Sequence, residues 1–217
     1  MALIDTPFGT SLSKLQLIGR STLLLASFVV LALFQGCSTA RRAPSLQYDF
    51  GTLSTDAKQT PSSVAISVAD ISAPATLDGN AMLYRLQYDN PQLLRPYAQH
   101  RWSMPPAQLL SQRLKTRIAA AGGTVTGAAD GIAELAVLRI ELDEFSHVFS
   151  SATASAAQIS LRASVTRKNK LIGQRYFSLA TPSASADAPG GAKAMQSTAD
   201  QSITAILAWL QALPLKQ

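Results

Sequence analysis

The stretch from Ser21 to Cys37 holds no charged residue, and it ends on the chain's single cysteine. No other feature constrains the fold as much, because it takes the first 36 residues out of the domain. Its apolar centre is Leu23-Leu24-Leu25-Ala26-Ser27-Phe28-Val29-Val30-Leu31-Ala32-Leu33-Phe34, preceded by Lys14 and Arg20. A basic segment followed by an apolar core of about 12 residues has the proportions of an export signal. A spanning helix needs about 20 apolar residues. The competing reading is an uncleaved signal anchor with an inert, buried cysteine.

The segment Phe34-Gln35-Gly36-Cys37-Ser38 resembles a lipobox, the site read by lipoprotein signal peptidase. Gly36 and Cys37 fit it, whereas Phe34 and Gln35 stand where a Leu and a small residue are usual. On this reading 1–36 is a lipoprotein signal peptide, Cys37 is the lipidation site, 37–44 is a lipidated tether and 45–217 is the domain. Ser38 stands where an inner-membrane retention signal would place Asp. The resemblance therefore implies sorting to the outer membrane, facing the periplasm. Burial of acyl chain contributes roughly 0.8 kcal/mol per methylene, and one chain alone anchors only marginally. Lipoproteins of this kind carry several chains, which makes the attachment durable. A lone cysteine makes no internal disulfide and has no Cys/His ligand cluster around it, so no metal and no cofactor is expected.

Removing the leader leaves about 180 residues, enough for one domain with a core. The formal net charge is +6; Asp5, Lys14 and Arg20 account for +1 of it, so +5 remains beyond the leader. That balance suits anionic headgroups, an acidic partner, or simply a solvated basic surface. The basic residues are scattered, without the dense run typical of nucleic-acid binding.

The remaining chain alternates between two periods. Gln47-Tyr48-Asp49-Phe50 reads as a short strand, and polar Ser54 to Ser63 as a loop. Val64, Ile66 and Val68 alternate with smaller residues, giving a strand with one well-buried face that Pro74 ends. Met82 to Tyr88 and Leu94 to Trp102 flank Asp89-Asn90-Pro91 and read as a hairpin; Pro96 marks its second arm as an edge or irregular strand. Pro105-Pro106 opens a helix. Its face is Ala107, Leu110, Leu114, Ile118 and Ala121, and Gly122-Gly123 provides the exit. Ala133 to Phe145 is a long strand whose apolar parity changes between Val137 and Leu138, where a bulge or two-sided burial is expected. Ile159, Leu161, Ala163 and Val165 form a strand that turns at Lys168-Asn169-Lys170 into Leu171 to Leu179. Thr181 to Gly191 reads as loop. A last helix runs from about Ala192 to Leu213, with Met195, Ala199, Ile203, Ile206 and Leu210 on its buried face and Pro214 beyond it. The order predicts an α/β fold: one compact domain, a mixed sheet of about five or more strands, and two main amphipathic helices.

Catalytic patterns are scarce. The two histidines, His100 and His147, have no metal-ligand spacing around them. His147 follows Asp143-Glu144-Phe145-Ser146, where a carboxylate and a histidine at a strand end permit acid–base chemistry; a solvated strand end is the simpler reading. Ser103 and Ser146 lack the Gly-x-Ser-x-Gly setting, and Gly122-Gly123 ends a helix instead of opening a phosphate site. No catalytic residue is expected. The distinctive stretch is aromatic and basic: Tyr84, Arg85, Tyr88, Arg95, Tyr97, His100, Arg101 and Trp102. Tyr, Trp and Arg dominate interface anchors because they join large apolar area to directional polar groups. Tyr84, Arg85, Tyr97, Arg101 and Trp102 are the candidate partner-binding residues. Core packing beneath the first helix competes for Trp102 above all, and for Tyr84 and Tyr97.

Asp78, Met82-Leu83-Tyr84-Arg85 and Tyr97-Ala98-Gln99-His100-Arg101-Trp102-Ser103-Met104-Pro105-Pro106 together resemble the signature of the ABC-type transport auxiliary lipoproteins, the PqiC/YmbA-like family. Leu109, Leu110 and Leu114, the earlier Tyr48-Asp49-Phe50-Gly51 and the closing Ala208-Trp209-Leu210 extend the likeness over nearly all of the mature chain. The resemblance implies a fold similar to anticodon-binding-like and TolB N-terminal domains. It implies a non-catalytic auxiliary subunit of an envelope transport system for phospholipids or other hydrophobic substrates. The implied partners are the membrane, an MCE-domain substrate-binding protein and its ABC permease and ATPase. The resemblance also implies ring-like or multimeric partners, so a homo-oligomer stays open, although no heptad seam is visible. The alternative is a structural or assembly lipoprotein of the envelope unconnected to ABC transport.

Overall fold

The computed structural model describes residues 44–53, 64–132 and 134–215. The expected signal peptide, Cys37, the tether up to Ala43 and the Ser54 to Ser63 loop lie outside them. Eight strands and two helices follow in order: β1 (Leu46–Tyr48), β2 (Ala65–Val68), β3 (Ala81–Leu86), β4 (Leu94–Trp102), α1 (Pro106–Ala120), β5 (Thr124–Gly127), β6 (Ala136–Phe149), β7 (Ser155–Arg167), β8 (Lys170–Pro182) and α2 (Ala188–Gln211). The result is one compact α/β domain with a single curled, mixed sheet.

The 14-residue strand β6 organises the sheet. On one side β7 runs antiparallel to it along nearly its whole length, and β8 continues from β7. On the other side two shorter strands share it. The first three residues, Ala136 to Leu138, pair with β2, and the last three pair with Tyr84 to Leu86 of β3, both in parallel. β5 extends the sheet beyond β2, while β4 and then β1 extend it beyond β3.

One strand serves both halves because of a register shift between Leu142 and Glu144. Before the shift Ala136, Leu138, Ile140 and Leu142 are buried; after it Phe145, His147 and Phe149 are. An extra residue in one strand moves the inward face by one position. The expected parity change therefore exists, but at Asp143 instead of between Val137 and Leu138. β2 is buried at Ile66 and Val68 and also at Ser67, which points to the other face and bonds through its hydroxyl to that of Thr126 on β5 at 2.9 Å. The single-face expectation for it is corrected accordingly.

The hairpin of β7 and β8 closes through Lys168 and Asn169, at φ 46° and 62°. Two left-handed residues give the backbone twist that tight hairpins favour. β4 is paired on both sides only at His100, Arg101 and Trp102, where β1 joins it; around Pro96 it has β3 alone. The edge expectation thus holds for half of the strand.

α2 lies across β6, β7 and β8, and α1 packs beside it and against β5. α2 begins at Ala188 and ends at Gln211, not at Ala192 and Leu213, and β8 runs to Pro182. The expected loop from Thr181 to Gly191 shrinks to 183–187. Asp187 explains the early start: its carboxylate accepts from the Gly190 N–H at 2.8 Å, and Pro189 sits in the first turn. This is N-cap chemistry. Met195, Ala199, Ile203, Ile206 and Leu210 all face the core as expected. Arg113 of α1 is the buried exception. Its guanidinium donates to both Asp200 oxygens, at 2.8 and 2.7 Å, and to the Gly51 carbonyl at 3.0 Å.

Candidate functional site

The β6 shift and the β3–β4–β1 layer bring nine rings together at one end of the sheet. Phe50, Trp102 and Phe145 form the dry part, with centroids 5.4 to 6.3 Å apart. Tyr48 packs edge-on to Trp102 and stacks on His100, which meets Tyr97 edge-on. Tyr97 lies 4.6 Å from Tyr84 and stacks on His147 at 6.3 Å; Phe149 touches both Tyr84 and His147. Tyr48, Tyr84, Tyr97 and His100 stay half-buried, so the outer part of the cluster is a ledge open to solvent.

Trp102 is 1 % exposed. It belongs to the core and presents no surface to a partner, which corrects its place among the candidate contact residues. Tyr84 and Tyr97 are both packed and partly open. Arg85 donates to Glu144 at 3.3 Å and to the Pro91 carbonyl at 2.8 Å, bracing the hairpin turn against β6. Arg101 is half-buried and makes no ion pair among the described residues.

His147 is fully buried inside β6, not at a solvated strand end. Its Nδ1 pairs with Tyr97 Oη at 2.9 Å and its Nε2 with Ser183 Oγ at 3.0 Å. The first turn of α2 presses on the ring: a Cβ built on Gly191 would lie 2.7 and 2.8 Å from its Cε1 and Cγ, and closer still to Nδ1. His100 makes the matching bond to Tyr48, 2.9 Å from Nδ1 to Oη. Burial lowers the His147 pKa to about 4, against the pull of Asp187. Burial likewise raises the Tyr97 hydroxyl, helped by Tyr84 and Asp187. The Gly190 N–H and the Ser185 hydroxyl hold Asp187 below its usual value. An imidazole with both nitrogens paired and no access does the work of a structural polar group. Sequence reasoning missed the network because Tyr97, His147 and Ser183 are 50 and 36 residues apart.

The buried imidazole carries a pH signature. In the unfolded chain a histidine binds its proton near pH 6.5, but in the fold His147 resists until about 4. Between these values the unfolded state holds more protons, so stability is full above about pH 6.5 and declines as pH falls, by at most about 3 kcal/mol. Urea midpoints at about pH 7.5 and 4.5 check this, and His147→Gln should remove most of the slope. Equal midpoints in the parent protein would contradict it.

An open groove of about 490 Å³ runs past the start of α1, lined by Asp70, Asp78, Pro105, Gln108 and Gln112 among others. Among the described residues no three His, Cys, Asp or Glu side chains stand together as a metal site. No described helix is long and apolar enough to cross a membrane.

Two solved structures show the same fold. Protein XCC0632 from Xanthomonas campestris aligns with a TM-score of 0.65 at 21 % identity, over 77 % of this chain and 95 % of that one. A crystal structure described as that of an uncharacterized protein aligns with a TM-score of 0.60 at 16 % identity, over 77 % and 99 %. No curated protein matches the sequence. The model of the ABC-type transport auxiliary lipoprotein component family matches residues 48–207, a span that holds the aromatic cluster, the His147 network and both helices up to Leu207. By that match the chain belongs to the family of ABC-type transport auxiliary lipoprotein components.

Proposed function

We propose that the protein is a non-catalytic docking subunit of an MCE-type ABC transport system for phospholipids or other hydrophobic substrates. It is held on the periplasmic face of the outer membrane by lipid on Cys37. The observation that carries this reading is the tyrosine ledge. Tyr84 and Tyr97 expose part of their rings, while the buried His147 imidazole beneath them is fully engaged. A rigid surface of half-open tyrosines suits protein contact. The family's name supplies the link to ABC transport, and the leader and lipobox support lipid attachment.

Affinity capture of the full-length protein from crosslinked envelopes tests the partnership. The expected companions are an MCE-domain protein and a permease or ATPase, and the double variant Tyr84→Ala/Arg101→Ala should reduce them about tenfold, as when one or two interface anchors are lost. Capture of unrelated envelope proteins alone would favour an assembly role outside transport. Cys37→Ala should abolish incorporation of labelled lipid and release the protein from membranes; unchanged attachment would refute the anchor.

A further inference from the structure

β8 pairs with β7 on one side and with no described strand on the other. It is 13 residues long, about twice the usual strand. The other edge strands, β1 and β5, have three and four residues. Short edges are one way in which sheets avoid unwanted pairing, and β8 does not use it.

The register tells which of its backbone groups face outward. The Ser183 N–H donates to the Ser155 carbonyl at 2.9 Å, and the pairing runs without a shift back to Gly173 opposite Val165. Along an antiparallel pair, residues that exchange both bonds alternate with residues that exchange none. Arg175, Phe177, Leu179 and Thr181 therefore bond to β7, while Gln174, Tyr176, Ser178 and Ala180 turn their N–H and C=O away from it. Among the described residues no other strand or loop bonds to these groups. Pro182, the next outward position, has no N–H and ends the row.

The side chains along this edge are basic and partly apolar. β8 contains Lys170 and Arg175 and no carboxylate. Neither cation is in an ion pair among the described residues; Arg175 lies over the Phe177 ring, 5.2 Å from its centre. Leu171 is 56 % exposed and Tyr176 57 %.

We infer that β8 is a docking edge for an extended, acidic segment of another protein, which joins the sheet as a further strand. Backbone bonds to four alternate residues would set the register, and Lys170 and Arg175 would select for carboxylates. The occupant is an extended chain because only another strand matches a row of donors and acceptors at this spacing. A second copy fits poorly: two β8 strands side by side bring four cations together with no carboxylate between them. This contact needs neither the tyrosine ledge nor lipid on Cys37, so it can fail while the proposed function stands.

Amide hydrogen exchange in the full-length protein, held in detergent micelles, tests it. The probe is a capped eight-residue peptide of alternating valine and glutamate, with its valine and lysine counterpart as control. In the free protein the Gln174, Tyr176, Ser178 and Ala180 amides should exchange faster than those between them. The glutamate peptide should slow these four at least about tenfold, and the lysine peptide should not. Ala180→Pro removes one outward donor and no bond to β7. The glutamate peptide should then bind about fivefold more weakly, while the melting temperature stays close to that of the parent protein. Lys170→Glu/Arg175→Glu should reverse the preference between the two peptides. No slowing, or equal slowing by both peptides, overturns the inference. Slowing that appears on raising the protein concentration alone assigns the edge to a second copy and also overturns it.

Discussion

Arg113→Ala is expected to lower the unfolding free energy by about 3 kcal/mol, the cost usual for removing one partner of a buried ion pair. The guanidinium is 7 % exposed and joins three segments that sequence order keeps apart: α1, Asp200 on α2, and the Gly51 carbonyl just after β1. Truncation leaves Asp200 without its bidentate donor and the carbonyl without a partner, and opens space between the helices. For a domain of this size the melting temperature should fall by roughly 10 °C. Arg162→Ala provides the contrast. Its ion pair with Glu141 is about half exposed on both sides, so the loss should stay below about 0.5 kcal/mol. Thermal or urea unfolding of both variants checks the ranking, and equal effects would show that the buried pair is not what ties α1 to α2.

Gly191→Ala should destabilise by about 2 kcal/mol even though alanine is the better helix former by about 1 kcal/mol. Position 191 lies in the first turn of α2, where its N–H donates to the Asp187 carbonyl. The added methyl meets the His147 ring, and that ring cannot swing away without giving up Tyr97 or Ser183. The helix start must therefore lift from β6. Two signs separate this from a simple helix effect. Stability should depend less on pH between about 4 and 6.5, since a loosened imidazole regains water and its ordinary protonation. In the Gly191→Ala/His147→Ala double variant the losses should fall well short of additive, because one contact is removed twice. Full additivity would rule out the contact as the cause.

The sequence was most legible where one short-range rule decides the outcome. Lys168-Asn169 sets a two-residue turn whatever surrounds it, and the apolar positions from Met195 to Leu210 fix the buried face of α2. The start of α2 was misjudged because Ala, Pro and Gly in 188–192 read as loop by composition. The helix signal there is the Asp187 cap with Pro189 after it, which outweighs the glycines. β5 was missed because Thr124 to Gly127 is too short and too small to show a period; it is a strand only because β2 lies beside it. The change of face at Asp143 was displaced by four to six residues because Leu135 and Val137 imitate it, though both are only half-buried. The aromatic stretch, read as a partner-binding surface, supplies Tyr84, Tyr97, His100 and Trp102 to the ring cluster. Which rings open to solvent depends on α2, whose Gly190-Gly191 turn comes to rest on His147 from far along the chain.

The shortest strand has a mechanical consequence. β1 is joined to the sheet by three residue pairs, with the bond of Tyr48 to His100 and that of the Ser103 N–H to the Tyr48 carbonyl as its other ties. Under the proposed anchoring, any tension on the lipid end is borne first by this element, the one with least to hold it. It can peel away while β3, β4 and β6 stay paired. Phe50, locked against Trp102 and Phe145, is where the peeling stops. The domain thus carries a spare length of leash, about 13 Å for four extended residues, which it can pay out under load and take back without unfolding.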